Sequence, residues 1–401
     1  MRLKFPPDFI FGTSTASTQI ETAFDHDWQG YKSRDGYIFE RTTDHELRLS
    51  EDAILISSLA PAYRMSLSWS RLQRGPMQDF DPETVKQYKS FLDDLTTREV
   101  KIMMVLHHFT NPKWFSQMGG WEKEENIKLW LDFGKKVVAT FGGYVSHWNT
   151  FNEPNVYVSY GWITGFFPPF KINPVRAFQV VKLMGQAHDQ MYDIIKAKYP
   201  DHPVGISHNA VIFDAENLLG RFPSKLSDWW FMEYVPRFFE KVDFFGMSYY
   251  ARVSHDPMPI TYIDTPEKIK QYSMSHDDMW EYHPEGLRTC LDRYWKKYKK
   301  PIIITESGVC DESDVLRQQA IIDYALIIHK ALGDGIDVRG YYWWSAWDNF
   351  EWHLGPTKRF GLYACDLETK DRSPRPSAKI FADLSHNKTI PNQELDKKLI
   401  S

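Results

Sequence analysis

The sequence predicts an α/β fold, a single (β/α)8 TIM barrel over residues 1–401. Three observations predict it. Eight short apolar segments of strand character alternate with amphipathic helical stretches along the chain. No glycine-rich phosphate loop follows any of them, as a doubly wound nucleotide-binding sheet would require. No linker, internal repeat or low-complexity tract divides the chain. A length of 401 residues would suffice for two or three average domains, and barrels are the architecture that keeps such a length in one unit.

The strand segments are 9–14, 62–67, 102–107, 146–151, 204–207, 243–248, 301–305 and 338–344. The stretch 50–59 places Ile54, Leu55, Ile56 and Leu59 on one helical face, with Ser50 as its expected cap and Asp52 in its first turn. A second helix is expected over 311–330. The less periodic stretches 213–243 and 254–279 read as long loops and short helices over one mouth of the barrel.

Composition narrows the function classes. A hydrophobic fraction of 42% with 25% charged residues fits a globular protein with a large core. The net charge of −5 gives no electrostatic reason to expect nucleic acid or an anionic membrane as partner. No apolar run approaches the length of a membrane span. Residues 1–8 lack the apolar stretch of a secretory signal, and three scattered cysteines, Cys290, Cys310 and Cys365, make neither a disulfide framework nor a metal cluster. The expectation is a cytoplasmic protein with reduced thiols, of undetermined oligomeric state. The aromatic content, 15% with 15 Trp, is compatible with a carbohydrate cleft, because indole faces stack on the C–H faces of sugars.

In a barrel enzyme the reactive side chains sit at the C-terminal ends of the strands. The fourth strand ends in Thr150-Phe151-Asn152-Glu153-Pro154 and the seventh in Thr305-Glu306-Ser307-Gly308. Each delivers one carboxylate to the same rim. Pro154 is expected to end the ladder and hold Glu153 in extended geometry. Two carboxylates facing one cleft suit glycosidic cleavage, in which one protonates the leaving oxygen and the other attacks the anomeric centre. The side chains of His107 and His108, adjacent on a strand, point to opposite faces and cannot chelate together. No metal and no cofactor is implied.

These residues resemble glycoside hydrolase family 1. Thr150-Phe151-Asn152-Glu153-Pro154 and Ile304-Thr305-Glu306-Ser307-Gly308 are similar to that family's acid/base and nucleophile motifs. The resemblance runs through Gln19-Ile20-Glu21, Tyr63-Arg64-Met65-Ser66, Leu106-His107-His108-Phe109, His283-Pro284-Glu285-Gly286, the run from Trp344 to Trp352, and Arg359-Phe360-Gly361. It implies a retaining β-glycosidase of the β-glucosidase type, acting on β-glucosides, β-galactosides or β-fucosides and short β-linked oligosaccharides by double displacement. Glu306 would be the nucleophile and Glu153 the acid/base. Arg64 and Tyr250 would keep Glu306 ionised, and Asn152 would bind the sugar 2-hydroxyl. The glycone pocket would comprise Gln19, His108, Asn152, Trp344, Glu351 and Trp352, with Phe360 nearby. Relatives that prefer 6-phosphosugars carry Ser, Lys and Tyr where this chain has Glu351, Lys358 and Phe360, so an unphosphorylated glycone is expected.

The chain departs from the pattern at Ser307 and Ser248, both usually Asn, and re-routed hydrogen bonding around Glu306 is expected. Phe109 and Thr110 replace the common Trp and acidic residue. Two other readings keep the same barrel: a transglycosidase, which shares the first half-reaction, and a sugar-binding pseudoenzyme, against which the presence of both Glu153 and Glu306 counts.

Overall fold

The computed structural model describes residues 3–215, 217–255 and 277–391. Eight parallel strands close into a barrel in sequence order: β1 (Ile10–Ser14), β2 (Ala62–Ser66), β3 (Lys101–His107), β4 (Val145–Asn152), β5 (Val204–Ala215), β6 (Phe244–His255), β7 (Ile302–Ser307) and β8 (Val338–Trp344). All eight expected strands are present, and the fold class stands as expected. The strands are β-branched and aromatic runs buried on both faces, as parallel strands sheathed by helices must be. Within the barrel Ala62, Met103, Phe244, Ile303 and Tyr342 form a separate small core with Ile10 packed against it. The outer faces of the strands join the surrounding helices in one continuous core.

The main differences from expectation lie where strands outrun their apolar segment. β5 continues to Ala215 and β6 to His255, well past the expected ends at Ser207 and Ser248. Their paired extensions, with Ile212 opposite Arg252 and Ala215 opposite His255, carry a two-stranded tongue beyond the rim. Backbone pairing between neighbours sustains this tongue where the apolar pattern has faded. The helix expected at 50–59 runs Leu49–Leu59, and Ser50 lies inside its first turn, not at its cap. Asp52 turns inward, where Arg372 and His45 hold its carboxylate. The helix expected from 311 begins at Val315. The stretch read as loops and short helices after β5 contains the helix Arg221–Asp228 and a wider-wound continuation, Trp229–Tyr234. Most of the second loop, 254–279, lies outside the described residues.

Three of the irregularities in strand register fall between Asn149 and Asn152, between Met247 and Ser248, and between Ile304 and Ser307. A regular strand sends successive side chains to opposite faces, and a bulge re-aims them. These breaks lie at the rim ends of β4, β6 and β7, the strands that carry Glu153, Ser248 and Glu306.

Many polar side chains are packed into this fold. Burial holds the imidazoles of His107 and His188 down at about 4 and those of His26, His208 and His353 down at about 3. A histidine whose folded value lies below its unfolded one favours the unfolded chain on protonation, since the unfolded state binds more protons between the two values. The imidazole contribution to stability should therefore rise with pH between about 4 and 6.5, opposed in part by the buried carboxyls of Asp27, Glu153 and Glu351, whose raised values act in the reverse sense. Thermal melts across that range should give a lower Tm at pH 5 than at pH 7; an unchanged or higher Tm at pH 5 would contradict this account of the buried imidazoles.

Candidate active site

Glu153 and Glu306 line one cleft at the C-terminal face of the barrel, with about 640 Å³ of non-protein space that is partly open to solvent. His108, Tyr250, Trp344, Glu351, Trp352 and Phe360 line it as well. Gln19, Arg64 and Asn152 sit directly behind these residues and are fully buried. The fold thus brings the whole expected set together.

The arrangement is organised around Arg64 on β2. The register pairs Ser14 of β1 with Arg64 on one side and Trp344 of β8 on the other, which sets these three side by side at the rim. The guanidinium donates to Ser14 Oγ (3.0 Å) and to Glu306 Oε1 through one nitrogen, and to Asn152 Oδ1 (2.5 Å) through the other. Tyr250 donates its hydroxyl to Glu306 Oε2 at 2.9 Å. Both oxygens of Glu306 therefore accept from donors that favour its ionised form.

Arg64 also fixes groups it does not touch. It can only donate, so the oxygen of the Asn152 amide must face it and the amide nitrogen must face away. That nitrogen lies 2.9 Å from His108 Nε2, which must then accept. Burial, with Arg64 and His107 nearby, holds the His108 ring well below the usual histidine range and hence neutral. A neutral ring that accepts at Nε2 carries its proton on Nδ1. This Nδ1 is buried and has no protein partner among the described residues. It is a hydrogen-bond donor without an acceptor among the described residues. His107, one residue earlier, faces away toward Asn111 (3.2 Å) and the ring of Trp121, as expected for neighbours on a strand.

Glu153 has a different environment. Asn209 on the extension of β5 donates to its Oε1 at 2.9 Å, and Ser248 donates to the same oxygen. Both donors are neutral. Burial, reinforced by the charge of Glu306, pushes Glu153 up to about 8. Burial also raises Glu306, but Arg64 and Tyr250 pull against it. Two identical side chains on one rim are thereby separated in acidity. Because two donors occupy Oε1, a proton on Glu153 belongs on Oε2.

Glu153 is not in extended geometry, contrary to the expectation from Pro154. It adopts φ 39° and ψ 61°, in the left-handed region, at a cost on the order of 1–3 kcal/mol. The chain must pass from β4 directly into the helix Pro154–Val158. In this turn the Glu153 N–H stays on the Ser207 carbonyl (2.7 Å) while its own carbonyl accepts from Tyr157 (2.9 Å). Those two bonds outweigh the preference of a residue before proline.

On the opposite wall Gln19 gives its amide protons to Asn349 Oδ1 (2.9 Å), the Phe350 carbonyl (3.0 Å) and Glu351 Oε2 (3.3 Å), leaving its oxygen without a partner among the described residues. Burial pushes Glu351 up to about 8, the charge of Glu306 adding to the effect. The loop carrying Glu351 is clamped from behind by a two-toothed contact of Arg375 with Asp348 (3.0 and 2.8 Å). Gly308, after Glu306, has no room for a side chain, since a Cβ there would collide with the Trp344 carbonyl.

Two expectations need correction. Ser248 serves Glu153, not Glu306, because the bulge before it turns its side chain toward β4. Ser307 plays no part in the cleft and faces the buried phenols of Tyr324 and Tyr341. Asn209 escaped the sequence reading because the apolar strand pattern ends at Ser207. The polar run Ser207-His208-Asn209 next to a strand is the signal that could have found it. Ser248 donates to the ionised form of Glu153 and so lowers its pKa. Ser248→Ala should move the alkaline limb of the kcat/KM profile up by roughly one pH unit, one hydrogen bond being worth about 1 kcal/mol. An unmoved or lowered limb would show that the serine does not act on Glu153.

The profile of Glycosyl hydrolase family 1 matches residues 1–215 and 233–390. A β-glycosidase from Pyrococcus horikoshii superposes with a TM-score of 0.87 at 32% identity, over 99% of this chain and 98% of that one. β-Glucosidase A of Thermotoga maritima is 27% identical over 445 residues, covering 96% of this chain and 98% of its own length. The galactolipid galactosyltransferase SFR2 of Arabidopsis thaliana is 29% identical over 373 residues, which are 85% of this chain but 56% of SFR2. The chain spans about half the length of that relative and of its rice counterpart. Together with paired carboxylates on β4 and β7 of a closed parallel barrel, these matches establish that the chain belongs to glycosyl hydrolase family 1.

Proposed function

We propose that the protein is a retaining β-glycosidase acting on β-glucosides and related β-glycosides. The carrying observation is the unequal environment of its two carboxylates. Glu306, bridged to the Arg64 guanidinium, is the better anion and the nucleophile. Glu153, with neutral donors and a value near 8, is the better proton donor. The first step forms the bond between Glu306 and the anomeric carbon while the Glu153 proton passes to the leaving oxygen. In the second step Glu153, now ionised, takes a proton from water, which attacks the same carbon and releases Glu306. Tyr250 steadies Glu306 throughout, and Asn152 presents its amide to the sugar beside the reacting carbon.

The remaining lining gives the glycone its contacts. The free Nδ1–H of His108 and the free Oε1 of Gln19 offer one donor and one acceptor. Glu351 can serve as either when protonated. The Trp344 and Trp352 rings, with His108 stacked near Trp352 (5.8 Å between centroids), give flat apolar faces for the sugar ring. A transglycosylating variant of the same chemistry has support in the likeness to the galactosyltransferase of Arabidopsis thaliana. Product analysis with an added alcohol acceptor separates the two readings.

Hydrolysis of nitrophenyl β-glucoside tests the assignment. Wild type should turn it over with a rate that falls as pH rises through about 8, where Glu153 loses its proton. Glu306→Gly and Glu153→Ala should each lose roughly 10³-fold or more in kcat. Azide should rescue the first to an α-glycosyl azide and the second to a β-glycosyl azide. The opposite stereochemistry would exchange the two roles, and absence of any turnover by wild type would leave sugar binding as the function.

An unphosphorylated glycone is preferred for a further reason. None of the described residues lining the cleft is a lysine or arginine, and the Lys358 ammonium is directed to the Asp278 carbonyl (3.3 Å). kcat/KM on nitrophenyl β-glucoside should exceed that on its 6-phosphate by roughly 10²-fold, given the cost of burying an unpaired charge. A preference for the phosphate would reverse this reading.

A further inference from the structure

The helix Arg221–Asp228 is amphipathic in the reverse sense. A surface helix ordinarily buries its apolar stripe and leaves its polar face to water. Here the buried positions are Ser224 and Ser227, while Phe222 is 74%, Leu226 46% and, just past the helix end, Trp229 41% exposed. These three lie four and three residues apart, on one face. Leu218 and Leu219, in the turn before the helix, are also exposed. The apolar face does not end with this helix. Trp229 meets Phe178 of the helix Pro174–Lys198 (6.4 Å between centroids), and exposed Val175 and Ile172 continue from Phe178.

The charges around this face are arranged with it. Arg221 and Lys225 are interleaved with the apolar residues and are exposed, and neither makes an ion pair among the described residues. The nearby acids among the described residues are already engaged. Asp228 and Glu233 are held by Arg293, Glu233 also by Lys297, and Asp214 lies within 3.9 Å of Arg252. Exposed Phe and Leu, a Trp at the boundary and two unpaired cations are what an anionic lipid–water interface takes up, apolar groups entering the acyl boundary and cations meeting headgroups. The overall charge of −5 does not reveal this local pair of exposed cations. No described helix is long and apolar enough to cross a membrane, so the contact is with a surface.

The position of the face relates it to the cleft. Both helices follow strands at their C-terminal ends, on the rim that carries Glu153 and Glu306. Trp230, beside Trp229, donates its indole N–H to Ser159 Oγ (2.8 Å), and the next residue, Tyr160, lines the cleft. From this we infer that Phe222, Leu226 and Trp229, with Arg221 and Lys225, seat the barrel mouth on an anionic lipid surface. Resting on the glycosidase reading above, the inference names the substrate class as β-glycosides with apolar aglycones presented from that surface.

The test is flotation of the full chain with vesicles of phosphatidylcholine alone and of phosphatidylcholine doped with phosphatidylglycerol, at low and high salt. The wild type, F222S/L226S/W229S and R221E/K225E are compared. Wild type should bind the anionic vesicles and lose binding as salt rises. Each variant should lose roughly tenfold or more in partitioning. Both variants should hydrolyse nitrophenyl β-glucoside as wild type does, which also shows that they are folded, yet turn over a long-chain alkyl β-glucoside embedded in anionic vesicles more slowly. Wild type that floats with neither vesicle, or variants that float equally well, would overturn the surface. So would a wild-type dimer in sedimentation that F222S/L226S/W229S renders monomeric, since a second copy would then cover the face. Vesicle binding as described with no hydrolysis of any β-glucoside would instead remove the glycosidase reading and leave the surface standing.

Discussion

One buried guanidinium sets the terms for the rest of the site. Arg64 is wholly out of water, so its charge must be met inside the protein, and its partners are Glu306, Asn152 and Ser14. Removing one member of such a buried pair typically costs about 3–5 kcal/mol, because it strands the other charge. The constraint propagates by hydrogen-bond polarity. A donor-only group fixes the Asn152 amide, the amide fixes the tautomer of His108, and the tautomer leaves one ring N–H without an acceptor among the described residues. One charge placed on β2 thus specifies the state of groups at the rim ends of β3, β4 and β7.

The separation of the two glutamates follows from the same economy of charge. Both are buried, and burial alone would push both upward. Glu306 receives a cation and a phenol, whereas Glu153 receives a hydroxyl and an amide on a single oxygen. The difference is built into neighbouring strands. Ser248 pairs in register with Glu306 yet hydrogen-bonds to Glu153, so one strand, β6, serves both through Ser248 and Tyr250. Strand irregularities at these points and the left-handed turn at Glu153 are local costs that the surrounding ladder and core over-determine.

Around this polar centre the rim changes character. The cleft walls are aromatic, and the loop carrying Glu351 is clamped by Asp348 and Arg375. The outer rim beyond Trp230 carries apolar residues and cations that are not folded into the core. A helix that buries serines and exposes phenylalanine is locally unfavourable in water, and its persistence beside the cleft points to a role at an interface.

Much of this protein was legible in its sequence. Apolar runs broken by helical periodicity determined the barrel and its eight strands, because burial of a parallel sheet on both faces writes itself into composition. The ends of β4 and β7 pointed to Glu153 and Glu306 on one rim, and the motif set to the residues gathered around them. The sequence pattern failed where position depends on neighbouring strands. Ser248 was read as a partner of Glu306, Asn209 lay past the end of the apolar pattern, and Glu153 was expected to be extended. Nor could an average charge reveal that Arg221 and Lys225 share a face with Phe222 and Trp229. Periodicity reports what a strand or helix does with its own side chains. Which carboxylate a bulged strand serves, and which face a helix turns to water, depend on register and packing between segments far apart in the chain, and only the tertiary structure decides them.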